Sequence, residues 1–238
     1  MANFNTHLSV AFVASGVGAL VLYKAGILSG IEFLLCTVVG TVGGLLPDID
    51  LDHSIPAKIG FNALALLSAF LMVMYWSSQL ALLSLMVVWL LTYLIMRYGV
   101  FNLFSSLTVH RGVVHSLPYL AIVALLLVDI NFYLFKYTAI LSWAVGLFLF
   151  VGSLFHLVLD EIYSVNVFGL KLKKSFGTAF KLFEMQRMGL YITLYLIVIA
   201  LVIFSPPFTL FWQTLTDPIS WLILKKNLLP IGINLQRF

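Results

Sequence analysis

Charge is what this chain has least of. Asp, Glu, Lys and Arg make up 9% of its 238 residues, against roughly 25% in soluble domains. So little polar surface cannot cover a globule in water, which excludes an ordinary soluble domain. Cysteine is almost absent too: Cys36 stands alone inside an apolar run. That excludes a disulfide within the chain and any cysteine-based metal cluster. The net charge of +4 is modest, and the basic residues are not interleaved with aromatics along one stripe, so nothing points to nucleic acid. The first residues, MANFNTHLSV, lack the basic start of a signal peptide, and the first apolar run reads as a retained helix.

What the chain does have is long apolar runs, 62% of its residues being hydrophobic. The runs are Leu8–Tyr23, Ile27–Leu46, Phe61–Trp76, Leu80–Met96, Leu117–Phe135, Ala139–Leu159 and Leu190–Phe204, the last stopped by Pro206-Pro207. They are continuous rather than alternating, and rich in leucine, which predicts helices rather than strands. Phe208–Leu224 is interrupted by Gln213, Asp217 and Pro218. It reads either as an eighth, broken span or as a helix lying in the interface. The expected fold is all-α: one polytopic transmembrane helix bundle over residues 1–238, with about seven to eight spans and a broken or interfacial segment at 207–238.

Alternation of the spans gathers Lys58, Arg97, Arg111, Lys171, Lys173, Lys174, Lys181 and Arg187 on the side of the N-terminus, and only Lys24 and Lys136 opposite. The positive-inside rule makes the N-terminal side cytoplasmic in the inner membrane of the cell. Carrying the tail across once more would add Lys225, Lys226 and Arg237 to that side and favour an even number of spans.

The same alternation brings all five histidines to the N-terminal side, together with Asp48, Asp50, Asp52, Asp160 and Glu161. GGLLPDIDLDHS ends the second run. Its Asp48 and Asp50, two apart, point the same way in an extended segment and suit a hard cation; the alternative is a solvated acidic loop. HRGVVHS carries His110 and His115 around Arg111. Five residues apart on a helix they diverge by about 140°, but Gly112 permits a bend that joins them. Arg111 offers a planar fork to phosphate or carboxylate. FHLVLDE places His156 and Asp160 four apart on one helix face, either both as ligands or with Asp160 orienting the histidine. Glu161 points elsewhere on that helix and suits a general base. His7, at the start of the first helix, is a fourth converging histidine. Lys171, Lys173 and Lys174 form a basic patch suited to anionic lipid head groups.

The order of these motifs resembles the YdjM-like family of predicted membrane-bound metal-dependent hydrolases. The likeness rests on a histidine at the first helix start, PDID, HRGxxHS, and HxxxD closing a late helix, and HLVLDEIYS extends it to Ser164. The family's usual HRGxTHS has threonine where Val114 stands. The resemblance implies His7, Asp48, Asp50, His110, His115, His156 and Asp160 as metal ligands; Arg111 and Glu161 are catalytic candidates from their own chemistry. Zn²⁺ suits imidazole with carboxylate, Mn²⁺ being the alternative, and seven ligands suffice for two or more ions. The expected activity is hydrolysis of a phosphoester or phosphodiester of a membrane lipid by metal-activated water. A divalent-cation transporter and a non-catalytic scaffold clamped by a structural metal are the competing readings.

Overall fold

The structure, a computed structural model, describes residues 3–50, 55–100, 113–166, 171–172 and 181–228. Each of the seven apolar runs forms a helix, and two short helices follow. They are α1 (Phe4–Lys24), α2 (Gly30–Gly43), α3 (Ile55–Trp76), α4 (Leu82–Leu94), α5 (Leu117–Asp129), α6 (Ala139–Ser164), α7 (Met188–Phe204), α8 (Phe208–Thr216) and α9 (Pro218–Asn227). α4 and α5 continue as π-helical turns through Val100 and Leu134. Past α6, Val165–Asn166 pairs antiparallel with Lys171–Leu172, a two-residue ladder absent from the helical expectation. Among the described residues, five helical stretches are long and apolar enough to cross a membrane: Phe4–Lys24, Leu82–Gly99, Leu117–Leu134, Ala139–Tyr163 and Met185–Phe204. The expected seven to eight spans are not reached on that criterion. α2, with 14 residues, is a shorter apolar helix.

Contacts divide the chain into two units, Met1–Pro47 with His115–Phe238, and Asp48–Val114. In the first, α6 is the central helix, touching α1, α2, α5 and α8. Its approach to α2 is close because the contact is built from small residues. A Cβ on Gly152 would land on the Gly40 carbonyl and one on Gly43 would meet the Leu149 carbonyl, while one on Gly44 would strike Ala11 of α1. Ser153 Oγ then bonds the Gly43 carbonyl across the contact at 2.9 Å. Lipid tails are as apolar as leucine, so helices in a bilayer associate through this kind of close packing and hydrogen bonding.

The helix ends are fixed locally. Asn3 caps α1 through Thr6 N at 2.8 Å. Ser29 and Glu32 form a reciprocal capping box on α2. Asp217 caps α9 through Ile219 N at 3.0 Å. Leu117 N bonds the Lys181 carbonyl at 3.1 Å, tying the start of α5 to the segment before α7.

An apolar core of Ala19, Leu22, Leu28, Cys36, Leu141 and Phe211 fills the end of this unit where α1 stops and α6 starts. α8 and α9 belong to that end. At 9 and 10 residues and 1.5 Å per residue, each covers about 15 Å or less, half a hydrocarbon core. Asn227 Nδ2 bonds the Lys24 carbonyl at 3.0 Å. The chain through Asn227 therefore returns to the end it left after α7, and Lys225 and Lys226 lie near Lys24 rather than across from it. Asp217-Pro218 breaks the run into two helices, which is why it folds back.

The second unit contains α3 and α4, which pack together. Trp89 meets the Phe70 ring edge-on with centroids 6.0 Å apart, and Tyr93 donates to Asn62 Oδ1 at 3.2 Å.

Candidate metal centre

At the end of the first unit opposite its apolar core, two helices bring polar side chains under cover and the end of a third adds a backbone carbonyl. His7 lies in the first turn of α1, and His156 and Asp160 are one turn apart near the end of α6. Their exposures are 1%, 1% and 7%. The His7 and His156 rings stack with centroids 3.7 Å apart and planes inclined by 13°. Asp160 reaches both: Oδ1 lies 3.3 Å from His7 Nε2, and Oδ2 lies 3.7 Å from His156 Nε2.

The third helix supplies a backbone atom. The Gly44 carbonyl, just past α2, accepts from His156 Nδ1 at 2.8 Å. That bond places the ring proton on Nδ1 and leaves Nε2 of a neutral ring as an acceptor. An acceptor nitrogen then faces a carboxylate oxygen with no proton of the ring between them. Protonating both rings at once is disfavoured, because two imidazolium ions at the stacking distance of 3.7 Å repel by about 4 kcal/mol even at an effective dielectric of about 20.

The three side chains are arranged so that they could share a divalent cation. Donor atoms around a tetrahedral ion with bonds of about 2.0–2.1 Å stand ~3.3 Å apart, and the two nitrogen–oxygen separations are 3.3 and 3.7 Å. Ligand atoms of His7, His156 and Asp160 all lie within 4.8 Å of one another. Imidazole with carboxylate is a donor set for Zn²⁺ or Mn²⁺.

His115 stands beside this group, its ring 5.9 Å from that of His156 and inclined by 65°. Its Nε2 is enclosed without a hydrogen-bond partner, as is Nδ1 of His7. Glu161 follows Asp160 on α6, about 100° further round. It is half-buried and outside the His7–His156–Asp160 group. Asp48 is buried in the 3₁₀ turn Leu46–Asp50 and begins the second unit. Asp50 closes that turn, and its side chain lies outside the described residues. Val114, where the family pattern has threonine, is 2% exposed and so holds an apolar position. His110, Arg111, Lys173 and Lys174 lie outside the described residues, as does the side chain of Lys171. Sequence reasoning missed the Gly44 carbonyl; the Gly43-Gly44 pair signalled close helix approach, but not that the freed carbonyl would orient a histidine. Tyr191, fully buried on α7 with its hydroxyl toward Ser116, carried no motif.

A helix bundle with membrane-length apolar helices and a buried His–His–Asp group at one end defines a polytopic membrane protein with a candidate metal centre. The chain belongs to the YdjM inner membrane protein family, whose profile matches residues 1–206. The match includes every candidate ligand and stops at Pro206, before α8 and α9. No curated protein and no solved structure matches the chain.

Proposed function

We propose that this protein is an integral-membrane, metal-dependent hydrolase of a phosphoester or phosphodiester on a membrane lipid. The observation that carries the reading is the facing of two imidazole nitrogens and the Asp160 carboxylate at cation-sharing distances in a buried setting. Zinc is the preferred ion and manganese the alternative. His7, His156 and Asp160 hold one ion. The motif pattern alone adds Asp48, Asp50, His110 and His115 as candidate ligands, a number sufficient for a further ion. When bound, such a cation supplies Lewis acidity, enough to make water a usable nucleophile near neutral pH.

The chain's own residues do the rest. Gly44 fixes the His156 ring so that Nε2 faces inward. Glu161 is the candidate base for the attacking water from the sequence pattern, and would have to reach it from outside the His7–His156–Asp160 group. Arg111 steadies the anionic group through its planar fork. Lys171, Lys173 and Lys174 hold anionic head groups at the surface. The centre faces the cytoplasm: with Lys225 and Lys226 counted at the Lys24 end, span alternation still leaves eight basic residues on the N-terminal side against four opposite.

The test is turnover. Protein in phospholipid vesicles, supplied with zinc or manganese, should release phosphate or a phosphorylated head group, and His156→Ala and Asp160→Ala should abolish release while remaining folded. Full activity in both variants rejects the mechanism.

A further inference from the structure

Beside the polar centre runs an apolar groove between α1 and α6, enclosing about 590 Å³. Its walls include Ala14, Val17 and Gly18 on α1, Val151 and Phe155 on α6, and Phe211 from α8. Two placements connect it with the centre. On α1, Ala14, Gly18 and Leu22 stand 7, 11 and 15 residues after His7, a spacing that keeps them on the helix face that His7 begins. On α6, Phe155 immediately precedes His156. The groove opens outward, since Val17 is 57% and Phe155 37% exposed. Gly18 keeps it wide: a Cβ there would already touch the Phe148 ring at 3.4 Å.

We infer that this groove seats one hydrocarbon chain of the lipid whose head group is processed at the His7–His156–Asp160 centre. The inference rests on the lipid-hydrolase reading for its polar end. Ala14 stands about 10 Å along α1 from His7, and Ala14 to Leu22 covers about 12 Å more. One leaflet of a hydrocarbon core is about 15 Å deep. The head-to-chain order of a lipid thus matches the polar-to-apolar order along α1. The volume falls within the range of small-molecule pockets, ~300–1,000 Å³. A second groove along α5, α6 and α7, lined by residues such as Ala121, Leu125 and Val202, is smaller at about 280 Å³ and lacks the His7 face. It serves as the internal comparison for lipid that merely surrounds the protein.

The experiment uses the full chain in nanodiscs of phosphatidylglycerol containing a fraction whose acyl chain carries a mid-chain diazirine, with the photolabelled peptides mapped by mass spectrometry. Labels should concentrate on residues 14–22 and 147–155. Val17→Trp and Gly18→Leu should lower that labelling about threefold or more, a modest change because chain packing within a bilayer draws on van der Waals contact rather than burial from water. Ile31→Trp, at an 82% exposed position on α2, should leave it unchanged. Metal content should be the same in all three. Equal labelling of the two grooves, or labelling indifferent to Val17→Trp and Gly18→Leu, overturns the proposal. Groove labelling by a wild type that hydrolyses nothing upholds the chain site and rejects the hydrolase reading instead.

Discussion

Asp160 is the residue whose behaviour would depend most on a bound cation, because its buried carboxylate lies beside both imidazole rings and would become a ligand. Asp160→Asn keeps the shape and removes the charge. Zinc should therefore raise the unfolding temperature of the wild type and raise that of the variant much less, because the wild type gains more binding energy. Thermal unfolding with and without zinc checks this, and an equal zinc-induced shift in both proteins counts against a cation at this position. Proton competition gives a second prediction. Imidazole ligands must be neutral to bind, so bound metal should fall as the pH is lowered. Dialysis followed by metal analysis reads this, and pH-independent retention contradicts histidine ligation. Sequence alone separated candidate ligands from helix-end acids only partly. His156 and Asp160 were legible from their four-residue spacing. Glu32, Asp129 and Asp217 turn out to cap or brace helix ends, Asp129 by accepting from Ser205 at 2.8 Å. The S-x-x-E pattern at Ser29–Glu32 is itself a readable sign of that role.

Helices α2 and α6 carry the centre because their backbones touch. Gly152→Val would drive side-chain atoms into the Gly40 carbonyl. Overpacking ordinarily costs about 1–3 kcal/mol, and here the obstacle is backbone, which yields less than a side chain. The variant should unfold at lower temperature and lose metal, because the Gly44 carbonyl would move away from His156. Gly30→Ala, with nothing within 4 Å of the added Cβ, should change neither. Undiminished metal binding in Gly152→Val would show that the helix contact does not position the histidine. Helix positions were readable from apolar runs to within a few residues, since continuous hydrophobicity marks buried or lipid-facing helices directly. Crossing was harder to read. Phe208–Leu224 is apolar enough to suggest a span, yet it folds back as two short helices, and the decision lay in Asp217-Pro218 and in the contact of Asn227 with Lys24, a tertiary interaction that no local pattern contains.

The whole molecule presents apolar side chains outward, as Ile31, Leu82 and Ile203 show at 82%, 76% and 75% exposure. That surface is matched to lipid, and it leaves polar chemistry to the helix ends. Cysteine labelling can assign the two ends to the two sides of the membrane, because native Cys36 is fully buried and should stay silent. Lys181→Cys, beside the start of α5, should react with a membrane-impermeant maleimide only in inverted vesicles, and Tyr137→Cys, before α6, only in intact cells. The opposite pattern would turn the centre outward. The most direct measurement is the metal content of the purified protein, wild type beside His156→Ala and Asp160→Ala. The account predicts at least about one zinc or manganese per chain, with affinity in each variant reduced beyond the roughly 10- to 100-fold that removing an outer-shell partner costs. A wild type that binds neither metal, or variants that bind as tightly as the wild type, would contradict it.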